Sequence, residues 1–443
     1  MKLNKIIENL FYFFIFLLPI QTSYIVRESF IGGGKWQYGT ILFYLTDLLL
    51  IFLFILSILS FRKNLSFSLK RKRSPLIAII FWFILFSFAS VFWSPDKELA
   101  LYSFIKLISA IAIFFIVINI KINWKKVFLV LLFSALIQSS LGLYQFLNQD
   151  TFNNSYLGLS EYSPGELGVS VIETPGRRWL RAYGGFTHPN ILGGYLAITL
   201  LMSLYFYSKR KIHSFKDLLL NILILISLNI LFAGLIVSFS RSAWLIFILS
   251  FISFFIFSLL KKKKLITLNL IKILSLFLMI SFLFYSLAPY LFKTRLGLIS
   301  RLETKSIEER IDYTTQAKSL IKDNLFFGTG IGNYTLANHE KLNNNQPAWY
   351  YQPVHNVYLL ILAELGLVGL ILFLFIAVYP FFIFIKKKFF NLKNIILFLS
   401  FLSLFIIMLF DHYLWTSHFG LLFFWLILGL FVKTINSIDK NNA

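Results

Sequence analysis

Four polar clusters in a chain otherwise dominated by phenylalanine, leucine and isoleucine carry residue types able to do chemistry. The first is Arg177, Arg178 and Arg181, followed by Tyr183-Gly-Gly-Phe-Thr-His-Pro-Asn190. An arginine fork suits bidentate binding of phosphate. Pro189 suits the first turn of a helix capped by Thr187 or His188, so this stretch reads either as a helix start or as a ligand-binding turn. The second cluster is Ser238-Phe-Ser-Arg241-Ser-Ala-Trp244, in a short turn between two apolar runs. Arg241 there either snorkels to the interface beside Trp244 or faces a bundle interior and binds an anion. The third is Arg301 and Arg310, with Glu303 or Glu309 as possible partners for Arg301. The fourth is His355-Asn356, followed nine residues later by Gly366-Leu-Val-Gly369. A histidine at a helix N-terminus is disfavoured as imidazolium, and a neutral imidazole is what a general base needs. Glu364 falls on roughly the opposite helix face, so the two are not paired. Gly366 and Gly369 read as close-packing positions between helices.

Other polar residues carry less information. Asp47 and Lys106 lie inside apolar runs, where they can pair or touch a substrate. Asp411, His412 and His418 read as interface residues. The turn Gly328-Thr-Gly-Ile-Gly332 is either a plain loop or a source of backbone N–H donors. No pair of histidines or carboxylates has metal-ligand spacing, and no metal or other cofactor is expected. The absence of cysteine excludes a thiol nucleophile and a disulfide framework.

The elements that must position these residues are membrane helices. The 443 residues are 58% hydrophobic and only 14% charged, against about 25% charged in an ordinary soluble domain. That excludes both a soluble fold and disorder. A crossing needs roughly 20 mostly apolar residues. Twelve such runs centre on 8–22, 40–61, 75–93, 100–120, 127–147, 189–208, 218–238, 243–260, 268–290, 356–385, 394–411 and 417–433. The fold class is therefore an all-α integral membrane protein of about twelve transmembrane helices. The first run resembles a signal peptide but has no small-x-small cleavage site, so it reads as an uncleaved anchor.

The organisation expected is helices 1–5 over 1–147, an outer loop over 148–188, helices 6–9 over 189–290, a large outer loop over 291–354, and helices 10–12 with a short tail over 355–443. With the N-terminus inside, the basic clusters around Lys5, Arg62 to Arg73, Lys121 to Lys126, Lys209 to Lys216, Lys261 to Lys264, Lys386 to Lys393 and Lys433 to Lys440 all fall on one side. This is the positive-inside pattern. The net charge of +23 is thus a topology signal and implies no nucleic-acid partner. In the larger outer loop, Ser300-x-x-Glu303 and Ser306-x-x-Glu309 have capping-box form and predict one or two amphipathic helices. A polar stretch, Asn343 to Gln346, closes that loop.

The stretches Arg181-Ala-Tyr-Gly-Gly-Phe-Thr-His-Pro-Asn190, Ser240-Arg241-Ser-Ala-Trp244, Gly328-Thr-Gly-Ile-Gly-Asn333 and His355-Asn356-x9-Gly366-x-x-Gly369, in this order and spacing, resemble the O-antigen ligase and polymerase superfamily over about 180–375. The resemblance implies a metal-independent membrane glycosyltransferase of GT-C-like architecture, with short amphipathic helices in the outer loop between spans 9 and 10. Such enzymes take a glycan from an undecaprenyl-diphosphate carrier at the outer, periplasmic face of the bacterial inner membrane, with both termini cytoplasmic. A ligase passes it to lipid A-core; a polymerase passes it to another carrier-linked repeat of an O-antigen or exopolysaccharide. The ligase reading is preferred. By position the resemblance makes His355, Arg241 and Arg310 catalytic, with Arg301 a possible substitute for Arg310. Arg181, Arg178, Arg301, His188, Asn190, Asn356 and Gly330 are the expected substrate-binding residues. The partners implied are the lipid-linked donor, a glycan or lipid A-core acceptor, and membrane lipid. The rival from another class is a polysaccharide transporter or flippase, which predicts a similarity between two halves that is not seen.

Overall fold

The computed structural model describes residues 2–62, 74–297, 300–342, 346–388 and 390–436. The basic cluster at Lys63 and Lys70 to Arg73, the polar residues Asn343 to Asn345 and the tail with Lys440 lie outside the described residues. The chain begins with helix α1 (Lys2–Leu17), and α2 (Leu45–Arg62), α3 (Pro75–Ala89), α4 (Lys97–Asn119) and α5 (Trp124–Asn148) follow. Next come α6 (Pro189–Ser208), α7 (Phe215–Val237), α8 (Arg241–Leu260) and α9 (Lys264–Leu287). The helices α10 (Pro289–Gly297), α11 (Arg301–Asp323) and α12 (Tyr334–Leu342) precede α13 (Val357–Lys387), α14 (Leu392–Ile407), the single turn α15 (Tyr413–Thr416) and α16 (His418–Asn436). Among the described residues nine helices are long and apolar enough to cross a membrane, and the apolar stretches Leu45–Ser60 and Leu392–Ile407 are shorter. The protein is thus a mostly helical, multi-pass membrane protein.

Two helices form the axis of the bundle. α6 packs against α5, α7, α8 and α14, and α16 packs against α4, α13 and α14. Both are almost wholly buried, whereas α9 turns most of its surface outward. α6 can be enclosed because it carries small residues near its N-terminal end: a Cβ on Gly193 would come within 2.7 Å of the Ser240 Cβ, and one on Gly194 would overlap the Tyr413 hydroxyl. Close backbone approach through small residues is a common means of helix association in lipid.

Three stretches between the long helices differ from the sequence expectation. The apolar residues Ile41–Tyr44, read as the start of the second span, form a strand paired antiparallel with Ser23–Arg27, so the helix begins only at Leu45. A second hairpin pairs Val171–Thr174 with Arg177–Leu180. In the large loop, Ser300 does cap α11, its Oγ accepting from the Glu303 N–H at 3.4 Å, but Ser306 lies inside that continuous helix and caps nothing.

Helix α13, expected to pack closely against another helix at Gly366, is instead broken there and approached by a loop. This residue has φ 63° and ψ −169°, and a Cβ there would overlap the Phe326 carbonyl. Residues 325–330 enter the break. The N–H of Leu367 donates to the Leu325 carbonyl at 2.8 Å, while Thr329 and Gly330 donate to the carbonyls of Ala363 and Glu364 at 2.9 and 2.8 Å. The backbone groups freed by the break are thereby satisfied, a requirement for irregular backbone in such a bundle. Only glycine adopts this conformation readily.

Candidate functional site

The site lies where the N-terminal ends of α6, α8 and α13 meet α10, α11 and the turn after α14. α6 starts at Pro189 because His188 caps it: the imidazole Nδ1 accepts from the Asn190 N–H at 3.1 Å, and Nε2 lies 3.0 Å from the Ser170 hydroxyl. This cap leaves the Asn190 side chain free to join two charged groups. Its Oδ1 accepts from Arg181 at 2.7 Å, and its Nδ2 donates to Asp411 at 2.8 Å. Arg181 is buried and also donates through Nε to the Ser238 carbonyl at 2.9 Å. Burial, with Arg295 nearby, lowers the pKa of its guanidinium.

Three further arginines surround a pocket of about 260 Å³. Arg241, Arg295 and Arg310 line it with Asn190, Ser242, Leu245 and Phe410. Arg241 opens α8, Arg295 comes from α10 and Arg310 from the middle of α11. Glu303, buried in the first turn of α11, holds two of them: one carboxylate oxygen lies 3.2 Å from Arg241, and the other accepts from Arg295. Arg295 is further fixed by donating to the Phe239 carbonyl at 2.9 Å. Burial lowers the pKa of Arg310, and the neighbouring Asp411 opposes that shift. Breaking a buried pair by removing one partner costs about 3–5 kcal/mol. Glu303→Gln is therefore expected to destabilise the protein by about 3 kcal/mol, read as a lower melting temperature in detergent. An unchanged melting curve would show that Glu303 is not holding the arginines.

A larger chamber of about 980 Å³ adjoins this pocket and includes His188, His355, Glu364, Asp411 and His412 in its lining. His355 lies just ahead of α13, which Asn356 caps by accepting from the Leu359 N–H at 3.0 Å. The His355 ring lies parallel to Tyr313 at 6.0 Å and edge-on to His412 at 5.0 Å. Its Nδ1 is buried without a hydrogen-bond partner. Burial, and then His412, push its pKa down to about 3 against the pull of Asp411, so the imidazole is neutral at physiological pH. Burial would raise the Asp411 carboxyl, but the surrounding histidines and the Asn190 hydrogen bond hold it down to about 2.

A thin wall separates the two cavities. On three elements, consecutive residues face opposite sides: Asn190, Arg310 and Phe410 line the pocket, while Ile191, Glu309 and Asp411 line the chamber. The arrangement can hold an anion on one side and a polar, uncharged group on the other, with a neutral imidazole on the chamber side.

Of the residues expected from sequence, the structure brings together Arg181, His188, Asn190, Arg241, Arg310 and His355. It places others elsewhere. Arg178 donates to the carbonyls of Gly165 and Glu166 on the loop beside the second hairpin. Arg301 is exposed and pairs with Glu173 at 3.1 Å rather than with Glu303 or Glu309. Asn356 is spent as a helix cap, its Nδ2 donating to the Leu409 carbonyl at 3.3 Å. Gly330 turns against Ser94 with its N–H bonded to Glu364, and the N–H groups of Gly328, Thr329 and Ile331 are likewise bonded within the protein. That turn secures the loop and offers those donors to no ligand. Asp47 and Lys106 form no ion pair with each other among the described residues: Asp47 lies 3.7 Å from His418, and Lys106 donates to the Thr416 carbonyl at 3.0 Å.

Asp411, His412, Arg295 and Glu303 belong to the site and were not expected there. The available signal was a carboxylate and a histidine directly after an apolar run, where a polar group at membrane depth is costly unless used. Among the described residues no group of three or more histidine, aspartate or glutamate side chains is placed to hold a metal ion.

The family model described as O-antigen ligase matches residues 226–374. That interval contains Arg241, Arg295, Glu303, Arg310, His355 and the break at Gly366, and it excludes Arg181, Asn190 and Asp411. No curated protein matches the chain.

Proposed function

Because the match over residues 226–374 supports assignment of this chain to the O-antigen ligase and polymerase family, we propose that it transfers a glycan from an undecaprenyl-diphosphate carrier to an acceptor hydroxyl. The acceptor is lipid A-core, which makes the enzyme an O-antigen ligase of the bacterial inner membrane. The observation that carries the reading is the wall between the two cavities, with three arginines on one side and neutral His355 on the other.

In this reaction the acceptor oxygen attacks the anomeric carbon. The new glycosidic C–O bond forms as the C–O bond to the diphosphate breaks, and the electron pair stays on the diphosphate. Arg241, Arg295 and Arg310 meet the charge growing on that leaving group; such fixed, preorganised charge is usually the largest catalytic contribution. No metal is required for this role. His355 takes the proton of the attacking hydroxyl. Arg181 and Asn190 hold the wall from behind, and Asp411 joins that hydrogen-bond chain. Leu245 and Phe410 form the apolar edge of the pocket, where the polyprenyl tail leaves it for the lipid.

Twelve crossings complete the reading: the nine long helices with α1, α2 and α14. The one-sided lysines put both termini in the cytoplasm and the site on the outer face, in a GT-C-like arrangement. The test is a proteoliposome containing the purified protein, an undecaprenyl-diphosphate-linked glycan and lipid A-core. Glycosylated lipid A-core is the expected product. Elongation of the carrier-linked glycan instead would make the enzyme a polymerase, and no transfer to either acceptor would overturn the proposal.

A further inference from the structure

The chamber and the pocket beside it are lined by different chemistry. Tyr38, Tyr102, Tyr313, Tyr334, Trp349 and Trp415 turn aromatic surface or hydroxyls toward the chamber. Its charged lining residues are Lys106, Lys305, Glu309, Glu364 and Asp411, and among the described residues no arginine lines it. Each of these charges is already engaged. Lys305 lies 3.6 Å from Glu309. Lys106 donates to the Thr416 carbonyl, lies over the Tyr102 ring and feels both Asp47 and Glu364. Glu364 accepts from the Trp415 indole at 2.9 Å, and Asp411 accepts from Asn190 and from the His412 backbone. The chamber therefore holds one more carboxylate than ammonium, and its histidines at the wall are kept neutral by burial.

Its size is at the upper end of the roughly 300–1,000 Å³ usual for ligand pockets. An oligosaccharide fits such a lining: the C–H faces of sugar rings lie on aromatic rings, and hydroxyls exchange hydrogen bonds with the tyrosines and with Gln37 and Gln352. An acidic sugar does not. Its carboxylate would lose water and meet Glu364 and Asp411, and an unpaired buried charge facing like charge is strongly disfavoured.

We propose that this chamber is the binding site for an uncharged glycan, built of hexose and N-acetylhexosamine units, and that it discriminates against acidic glycans. The inference rests on the glycan-transfer reading and specifies its sugar half. The wall then sorts the substrates by charge, diphosphate to the arginines and sugar to the tyrosines.

The test is saturation-transfer NMR on the full-length protein in detergent micelles, with chitotetraose as the neutral probe and a hyaluronan tetrasaccharide as an acidic probe of equal length. Chitotetraose is expected to bind saturably. The acidic probe is expected to bind at least about tenfold more weakly, about 1.4 kcal/mol. Trp349→Ala, an exposed position at the chamber, is expected to weaken chitotetraose binding several-fold. Equal or tighter binding of the acidic probe overturns the proposal, as does absence of saturable binding by chitotetraose or binding unaffected by Trp349→Ala. Binding does not require turnover. Chitotetraose binding by a protein that transfers no lipid-linked glycan would overturn the reaction and leave the chamber assigned; glycan transfer without chitotetraose binding would do the reverse.

Discussion

His355→Ala is expected to lower glycan transfer by about 10²–10⁴-fold, the usual weight of a general base, while the protein still inserts and melts as the wild type does. His355→Gln should fail equally, because an amide keeps the polarity of the side chain but cannot take the proton. A pH profile separates this role from a structural one. The free base of a group held near 3 is lost only as pH falls through 3, so the imidazole stays competent from pH 8 down to pH 5. Wild-type kcat/KM should therefore show no acid limb from His355 in that window. A histidine at the ordinary value of about 6.5 would instead cost nearly tenfold per unit below it. Full transfer by His355→Ala would sink the assignment; an acid limb centred near 6.5 that His355→Gln abolishes would keep His355 as the base and overturn its lowered pKa.

Arg241→Ala is expected to cost about 10²–10³ in kcat, as removal of one preorganised charge-stabilising donor does. Arg241→Lys should recover little of this, since an ammonium cannot span a phosphate as a fork does and would lose the geometry at Glu303. Arg310→Ala should behave alike, because it faces the same pocket. Arg301→Ala supplies the contrast: its side chain is 75% exposed and pairs with Glu173, so the loss should stay below about fivefold, the weight of a surface ion pair. If Arg301→Ala were the crippling substitution and Arg310→Ala harmless, the diphosphate would have to lie elsewhere. Single-turnover transfer in proteoliposomes, with insertion checked by melting, reads all four.

How much of this was legible in the sequence depended on the range of the interaction. Apolar runs are local signals, so the long helices were found to within a few residues. Strand pairing is not local: Ile41–Tyr44 is as apolar as the helix it precedes, and only its partner Ser23–Arg27 makes it a strand. The cap at Ser300 was readable from a spacing of three residues. The carboxylate of Glu303 does not complete a capping box, because Arg241 and Arg295 claim it from elements distant in the chain. Asp411 and His412 were misplaced for the same reason. Their position after an apolar run was plain, but only Asn190, more than two hundred residues away, shows that the carboxylate points inward. At Gly366 the sequence shows only that glycine is needed: close packing and a left-handed backbone both demand it, and the partner, residues 325–328, is about forty residues away.

The stitch at Gly366 has a consequence for how the protein is made. Four backbone groups of residues 325–330 (the carbonyls of Leu325 and Phe326 and the N–H groups of Thr329 and Gly330) bond to residues 363–368, which leave the ribosome later. This turn therefore cannot complete its hydrogen bonds until α13 has been made. The C-terminal half of α11 has earlier partners on α12, where Lys341 donates to the Ser319 carbonyl and Asn338 to Gln316. A chain halted at residue 354 would have every arginine of the pocket but lack His355, Phe410 and Asp411, and so have no complete site.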